Sequence, residues 1–460
     1  MRVLMLGWEF PPLISGGLGT ACHGLTKALS RMGTHVIFAL PRPVESCHTA
    51  HVQLVGPGSR AMASPALPAG AHPRGDVELR PVDAALSPYA RPGLRSEPVR
   101  STNPGGVAHG TGACPGAKRH GPREDARDED AHGHYGGSLW AEIGRYADAV
   151  RGIAREEVFD IIHAHDWMTF PAGIAAARLS GKPLVVHVHS TEFDRSGDHV
   201  NQGVYETERR GMHEADRVIA VSHLTKRLCA ERYGVPEGKV SVVHNAVERR
   251  GRHNGGKAEK AEKVVLFLGR ITMQKGPEYF LAAARRVLEK VPHVKFIMAG
   301  AGDQRHRMVE LAAEMGIGHR VLFAGFLRGE EVSRAFHMAD LYVMPSVSEP
   351  FGIAPLEALD HDVPVIVSKQ SGVSEVLTHV LKVDFWDINE MANKIIAVLT
   401  RPALRHTLRQ NGSHEVKKFD WATPARLCLD IYGAAGVARE VLNRRGPECH
   451  GFVSLAAAAS

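Results

Sequence analysis

No two cysteines in the 460 residues stand at C-x-x-C spacing; the six present (Cys22, Cys47, Cys114, Cys229, Cys428 and Cys449) are scattered. A zinc knuckle and a disulfide framework are therefore not expected, and a cytoplasmic, reducing location is. Long hydrophobic runs are missing too. No stretch reaches the ~18 uninterrupted apolar residues of a membrane span, and the opening MRVLMLGWEFPP meets Pro11 and Pro12 too early for a secretory signal. The formal charge is +6, yet the basic residues are dispersed and aromatics make up only 6% of the chain. A nucleic-acid partner would need a basic stripe interleaved with aromatics, so none is expected. A phosphate-bearing small substrate explains the charge, as does transient peripheral contact with anionic lipid at the inner face of a membrane.

The chain exceeds the size at which one core keeps growing, so two domains are expected. Short β-branched or leucine-rich runs (Arg2–Leu6, His35–Ala39, Ile161–Ala164, Leu184–Val188, Arg217–Val221, Val240–His244, Val264–Leu268, Val294–Met298, Val321–Ala324, Leu341–Met344, Pro364–Val367) alternate with helical segments such as Ala21–Arg31, Pro277–Lys290 and Gln304–Met315. Such alternation argues for an α/β protein of parallel sheets with helices on both faces. The polar stretch ERRGRHNGGKAEKAE splits it into domains at 1–247 and 263–420, with a linker at 248–262. Residues from about 59 to 134, rich in Pro, Gly, Ala and His and containing REDARDED, are expected to be a disordered insertion in the first domain, and 443–460 a disordered tail.

Several motifs carry chemistry. The first strand leads into Ser15-Gly16-Gly17-Leu18-Gly19, where the backbone of a strand-to-helix turn can approach a ligand closely. Arg270 and Lys275, five residues apart in LGRITMQKG, directly follow a strand, at the crevice where open α/β sheets bind ligands. A bidentate guanidinium with a point-charge ammonium suits a diphosphate. In SEPFGIAPLEAL, Glu349 precedes a turn and Glu357 follows eight residues later, with the N–H groups of Gly352, Ile353 and Ala354 at a helix start between them. These N–H groups can meet an anion, Glu349 can reach sugar hydroxyls, and Glu357 can accept both hydroxyls of a ribose. In the first half, IIHAHDW and VHVHSTEF end two strands. The spacing of His163 and His165 invites a metal, because alternate strand residues share a face, but no third ligand is evident and no metal is assigned. Asp166 and His189 are read as sugar-binding groups on the cleft floor.

Together, GGLG, HAHDW, VHSTEF, VSHLTK, VVHNAV, LGRITMQKG, MAGAGD and SEPFGIAPLEAL occur in an order that resembles glycosyltransferase family 4 and, more distantly, the bacterial glycogen and starch synthases. The resemblance implies two Rossmann-like domains facing each other across a cleft (the GT-B fold), with a C-terminal helix over 421–442 crossing back to the first. It implies transfer of a hexosyl group, of glucosyl type, from a nucleoside-diphosphate sugar such as a UDP-sugar, with retention of configuration. The acceptor would be a glycan, a lipid-linked saccharide or a small molecule. Gly16 and Gly17 would approach the donor, Arg270 and Lys275 would hold the diphosphate, and His189 would bond the sugar near its reacting centre. Glu349 would take the sugar's hydroxyls and Glu357 the ribose. Ile14 stands where glycogen synthases carry a lysine, which weakens a glucan-elongating assignment. With Arg270, Lys275 and a helix start supplying positive potential, catalysis without Mg²⁺ or another cofactor is expected. An epimerase or phosphorylase on the same fold, or a silent sugar-nucleotide sensor, are the competing readings.

Overall fold

The computed structural model describes residues 1–11, 16–41, 52–54, 77–82, 137–249 and 262–444. Most of the expected insertion, most of the linker, and residues 445–460 of the expected tail lie outside these residues.

The first lobe is an eight-stranded sheet: β1 (Arg2–Leu6), β2 (His35–Leu40), β3 (Val52–Leu54), β4 (Val77–Pro81), β5 (Ile161–His165), β6 (Leu184–Val188), β7 (Arg217–Ala220) and β8 (Val240–Val242). Its order is β3-β4-β2-β1-β5-β6-β7-β8 and its pairings are parallel. Helices α1 (Gly17–Arg31), α2 (Gly137–Glu156), α3 (Phe170–Ser180), α4 (Glu192–Ser196), α5 (Gln202–Glu214) and α6 (His223–Tyr233) belong to it. The second lobe is a six-stranded parallel sheet: β9 (Lys263–Leu268), β10 (Val294–Ala299), β11 (Val321–Gly325), β12 (Leu341–Met344), β13 (Val365–Ser368) and β14 (Leu381–Val383), in the order β11-β10-β9-β12-β13-β14. With it go α7 (Pro277–Leu288), α8 (Arg305–Glu314), α9 (Glu330–Met338), α10 (Ala354–Asp360), α11 (Val373–Val376), α12 (Ile388–Thr400) and α13 (Pro402–Glu415), before the closing α14 (Ala422–Arg444).

Central strands such as β5, β6 and β12 are buried along their whole length. A strand covered on both faces needs no polar alternation, which is why these segments are continuous apolar or histidine runs. Both sheets reverse direction of growth once, between β1 and β5 and between β9 and β12. In open α/β sheets such a switch point leaves a crevice beyond the carboxyl ends of the two strands. The loops after β1, β5, β9 and β12 hold Gly16 and Gly17, Asp166, Arg270 and Lys275, and Glu349 respectively.

One segment corrects the reading of 59–134 as a disordered insertion. Val77–Pro81 is a strand paired in register with β2, Val36 opposite Val77 and Leu40 opposite Pro81. Its apolar residues Val77 and Leu79 enter the core, while Glu78 and Arg80 join His35, Arg2 and Glu157 in an ion-pair network. His35, which bonds the Glu78 carboxyl, is the main influence holding that acid below its ordinary range.

The chain crosses back to the first lobe at its C-terminal end. Trp421, Ala425, Cys428, Tyr432 and Ala435 form one stripe at helical spacing and pack with α1 and the first sheet. The fit is close at Gly24, where a Cβ would stand 2.2 Å from the indole of buried Trp421. Gly24→Val is therefore expected to destabilise the protein by about 2–3 kcal/mol through overpacking. Urea denaturation monitored by tryptophan fluorescence checks this, and an unchanged midpoint would contradict the packing.

Candidate active site at the two switch points

The geometry of the second lobe's switch point starts with β9. After Leu268 the chain turns through Arg270 to a single 3-10 turn, Met273–Lys275, that ends at Gly276 with φ 62°. A Cβ at Gly276 would lie 2.3 Å from the carbonyl oxygen of Pro345, so the loops after β9 and β12 touch backbone to backbone. Buried Gln274 joins them further. Its carbonyl accepts the N–H of Val347 (2.9 Å), and its side-chain oxygen accepts from Arg270 Nη2 (3.3 Å). The next residue, Lys275, ion-pairs through Nζ with Glu349 Oε2, which also accepts from Ser346 Oγ (3.3 Å). Glu349 is 6% exposed, so its charge is held chiefly by that ammonium.

The Glu349 backbone is fixed as well. Its N–H donates to the Gln370 carbonyl (3.0 Å), and its carbonyl accepts from Gly372 (2.8 Å). Gly352 follows at φ 97°, a left-handed conformation that favours glycine, and its missing Cβ leaves room for the Glu349 and Met344 side chains. Among the described residues the N–H groups of Gly352 and Ile353 donate to no backbone carbonyl. Ile353 packs against the cores of both lobes, which brings this turn to the first lobe. Glu357 stands half-buried in α10. Burial first, then the charges of Glu349 and Glu357, holds the Tyr342 hydroxyl far above its ordinary range. Both acids therefore lie within electrostatic reach of Tyr342, whose hydroxyl donates to the Leu268 carbonyl (3.2 Å).

On the facing lobe, a Cβ at Gly17 would meet no atom of the protein within 4 Å, whereas the start of α1 is already engaged by a residue the sequence analysis passed over. Buried Glu9 accepts the Gly19 N–H (3.2 Å). Asp166 is already engaged within its own lobe: its Oδ1 accepts the N–H groups of His189 (2.7 Å) and Ser190 (3.3 Å). It adopts φ 59° to do so. Burial pushes its carboxyl up to about 7, opposed mainly by the His189 N–H. Asp166 thus fixes the turn that presents His189. Half-buried His189 bonds His165 Nδ1 through Nε2 (2.9 Å), and desolvation holds its pKa down to about 3, so it is a neutral imidazole.

The lobes are joined beside these groups by contacts that nothing in the sequence signals. Ser348 Oγ donates to Asp194 Oδ1 (2.6 Å), and Asp194 completes a capping box with Thr191 at the start of α4. Arg195 anchors α4 between Glu192 (3.1 Å) and Glu208 (2.5 Å). The carboxylate of Glu375, from the second lobe, accepts the first N–H groups of α6, His223 (2.9 Å) and Leu224 (2.7 Å).

The histidines carry a further correction. Sequence reading finds no third partner for His163 and His165, but the parallel register sets His165 opposite His187. The structure brings one nitrogen from each of the three within 4.8 Å of the others.

Comparisons with known proteins agree with this arrangement. Residues 249–415 match the family model described as Glycosyl transferases group 1, 111–250 match Glycosyltransferase Family 4, and 2–64 match the Starch synthase catalytic domain. An uncharacterized glycosyltransferase of Methanocaldococcus jannaschii is 27% identical over 96% of this chain and all of its own length. Glycogen synthase of Mycobacterium tuberculosis is 25% identical over 95% of each chain. A D-inositol 3-phosphate glycosyltransferase of Mycobacterium sp. is 30% identical over 60% of this chain and 67% of its own. Among solved structures, sucrose-phosphate synthase from Thermosynechococcus elongatus superposes with a TM-score of 0.66 at 20% identity, covering 95% of this chain and all of its own. Anabaena HepE in complex with UDP-glucose gives 0.63 at 17%, covering 94% and 100%. The chain belongs to glycosyltransferase family 4 and is an enzyme of the GT-B fold.

Proposed function

We propose that the protein transfers a hexosyl group, of glucosyl type, from a nucleoside-diphosphate sugar to a hydroxyl of a glycan or lipid-linked saccharide, with retention of configuration. The observation that carries this reading is the Lys275–Glu349 pair at the β9/β12 switch point, with Arg270 held alongside by Gln274. The ammonium and guanidinium face the diphosphate, Glu349 takes sugar hydroxyls, and Glu357 takes the ribose. His189 bonds the sugar from the opposite lobe. As the anomeric C–O bond breaks, its electron pair passes to the diphosphate, whose charge Arg270, Lys275 and the Gly352 and Ile353 N–H groups stabilise. The acceptor oxygen bonds the anomeric carbon on the face the leaving group vacates, and a diphosphate oxygen takes the acceptor proton. The protein contributes position and preorganised charge, without Mg²⁺. The reading is supported by the UDP-glucose complex of Anabaena HepE, and a glucan acceptor by the full-length likeness to glycogen synthase. No described helix is long and apolar enough to cross a membrane.

Thermal shifts with a panel of UDP-, ADP- and GDP-sugars test the donor. A donor at ~100 times its Kd adds ~2.7 kcal/mol of stability, and the largest shift is expected with a UDP-hexose. A flat panel would overturn the donor reading, a product of inverted configuration by NMR the stereochemistry, and strict dependence on added Mg²⁺ the metal-free step.

A further inference from the structure

We propose that His163, His165 and His187 form a binding site for one divalent transition-metal ion of the zinc, nickel and copper class, set between the first sheet and the crossover helix. The three histidines share one face of two adjacent strands. His163 and His165 alternate along β5, and register places His187 of β6 opposite His165. All three are buried, at 0–2% exposure. Their hydrogen-bonding pattern is unequal in an informative way. His163 bonds the hydroxyl of Tyr432 through Nδ1 (2.6 Å), and His165 bonds His189 through Nδ1 (2.9 Å). Among the described residues, the Nε2 atoms of both, and both ring nitrogens of His187, have no hydrogen-bond partner. A buried polar atom left without a partner is costly, so several in one place call for an occupant.

At His163 and His165 the pattern matches the way metal-bound imidazoles are held, while His187 has no outer partner among the described residues. One ring nitrogen faces the ion while the other is fixed by an outer hydrogen bond that sets the ring's orientation. Here the outer partners are Tyr432 for His163 and His189 for His165, and one ring nitrogen from each of the three histidines lies within 4.8 Å of the others. An ion at about 2.0–2.1 Å from each nitrogen needs them no more than about 4.2 Å apart, so the three nitrogens draw together on binding. Ligand chemistry selects the ion: imidazoles with no oxygen ligand among them suit zinc, copper or nickel rather than magnesium or calcium. The ion would be structural. Through Tyr432 it would tie α14 to the first sheet, and through His165 it would hold His189 in place, with no step of sugar transfer passing through it. The inference stands apart from the choice of donor, and its tests are read without substrate.

Untagged protein stripped by prolonged dialysis against a chelator and titrated with Co²⁺ is expected to take up one equivalent with visible d–d absorption, and Zn²⁺ is expected to displace it. Tyr432→Phe, which keeps the ring and loses only the outer hydrogen bond, should weaken the affinity by ~10-fold or more. His187→Leu should abolish the stoichiometric site. X-ray absorption at the metal edge of the unmutated zinc protein should show at least three nitrogen ligands of imidazole type at about 2.0–2.1 Å. Absence of a one-equivalent site, unaltered affinity in Tyr432→Phe, or fewer than three imidazoles at the metal would overturn the proposal. If His187→Leu does not fold, the Tyr432 variant and the absorption spectrum decide.

Discussion

Lys275→Ala is expected to lower turnover by at least ~100-fold, the loss that follows removal of one preorganised partner worth ~3–4 kcal/mol at the transition state. The structure adds a second consequence. Glu349 is 6% exposed, and its Oε2 is met by Lys275 and Ser346. Without the ammonium the carboxylate keeps one neutral hydroxyl donor in a desolvated place, an uncompensated buried charge. Breaking a fully buried pair costs ~3–5 kcal/mol, but the Lys275 side chain is 19% exposed. A stability loss of about 2 kcal/mol is expected after that discount. Double-mutant analysis separates the two effects. Adding Glu349→Gln to Lys275→Ala removes the unpaired charge and should recover most of the stability, while turnover stays low. Steady-state rates and urea midpoints for the two single variants and the double check this. A Lys275→Ala enzyme with more than a tenth of normal turnover would remove this lysine from the diphosphate.

Much of this arrangement is legible from residue types, because the strands at the switch points are short, apolar and followed by glycine turns. The β1, β9 and β12 runs, and the places of Arg270, Lys275 and Glu349 in the loops after β9 and β12, follow from pattern alone. The pairing does not. Lys275 and Glu349 are 74 residues apart, and only the β9/β12 adjacency brings them together. The third histidine was missed for the same reason: His187 stands 22 or more residues from the other two, and only parallel register aligns them. β4 was lost differently. Val77 to Pro81 alternates apolar and polar residues as a half-covered strand should, but it lies in Pro- and Gly-rich sequence, and its charged residues pair with His35 and Glu157 from distant segments. Asp166, polar and at the end of a strand, reads from sequence as a sugar-binding group. Its positive φ and its bonds to the His189 and Ser190 N–H groups are tertiary facts with no local signal.

Gly372→Val is expected to reduce turnover by ~100-fold although position 372 offers no chemistry. A Cβ there would lie 2.1 Å from the carbonyl oxygen of Pro350 and 2.5 Å from Cβ of Ser222. The first contact is to backbone in the acidic loop, and the second is to the facing lobe, so no flexible side chain can move aside. The same residue donates its N–H to the Glu349 carbonyl, and the neighbouring bridge pairs Glu349 with Ser371. Relief must come from the Glu349 loop moving, from the lobes parting at Ser222, or from both. Overpacking of this kind costs ~1–3 kcal/mol in stability, which a protein of this size tolerates. Placement is less forgiving, since a misplacement of ~1 Å in a reacting assembly can cost ~100-fold in rate. Lobe separation would also strain the Ser348–Asp194 bond and the Glu375 cap on α6, which flank the same contact. The expected signature is a folded enzyme with a modestly lowered urea midpoint, a large loss of kcat and a weakened donor thermal shift. Gly372→Ala should give an intermediate version of each. A Gly372→Val enzyme with normal turnover would mean that the contact between Pro350, Gly372 and Ser222 does not set the position of Glu349.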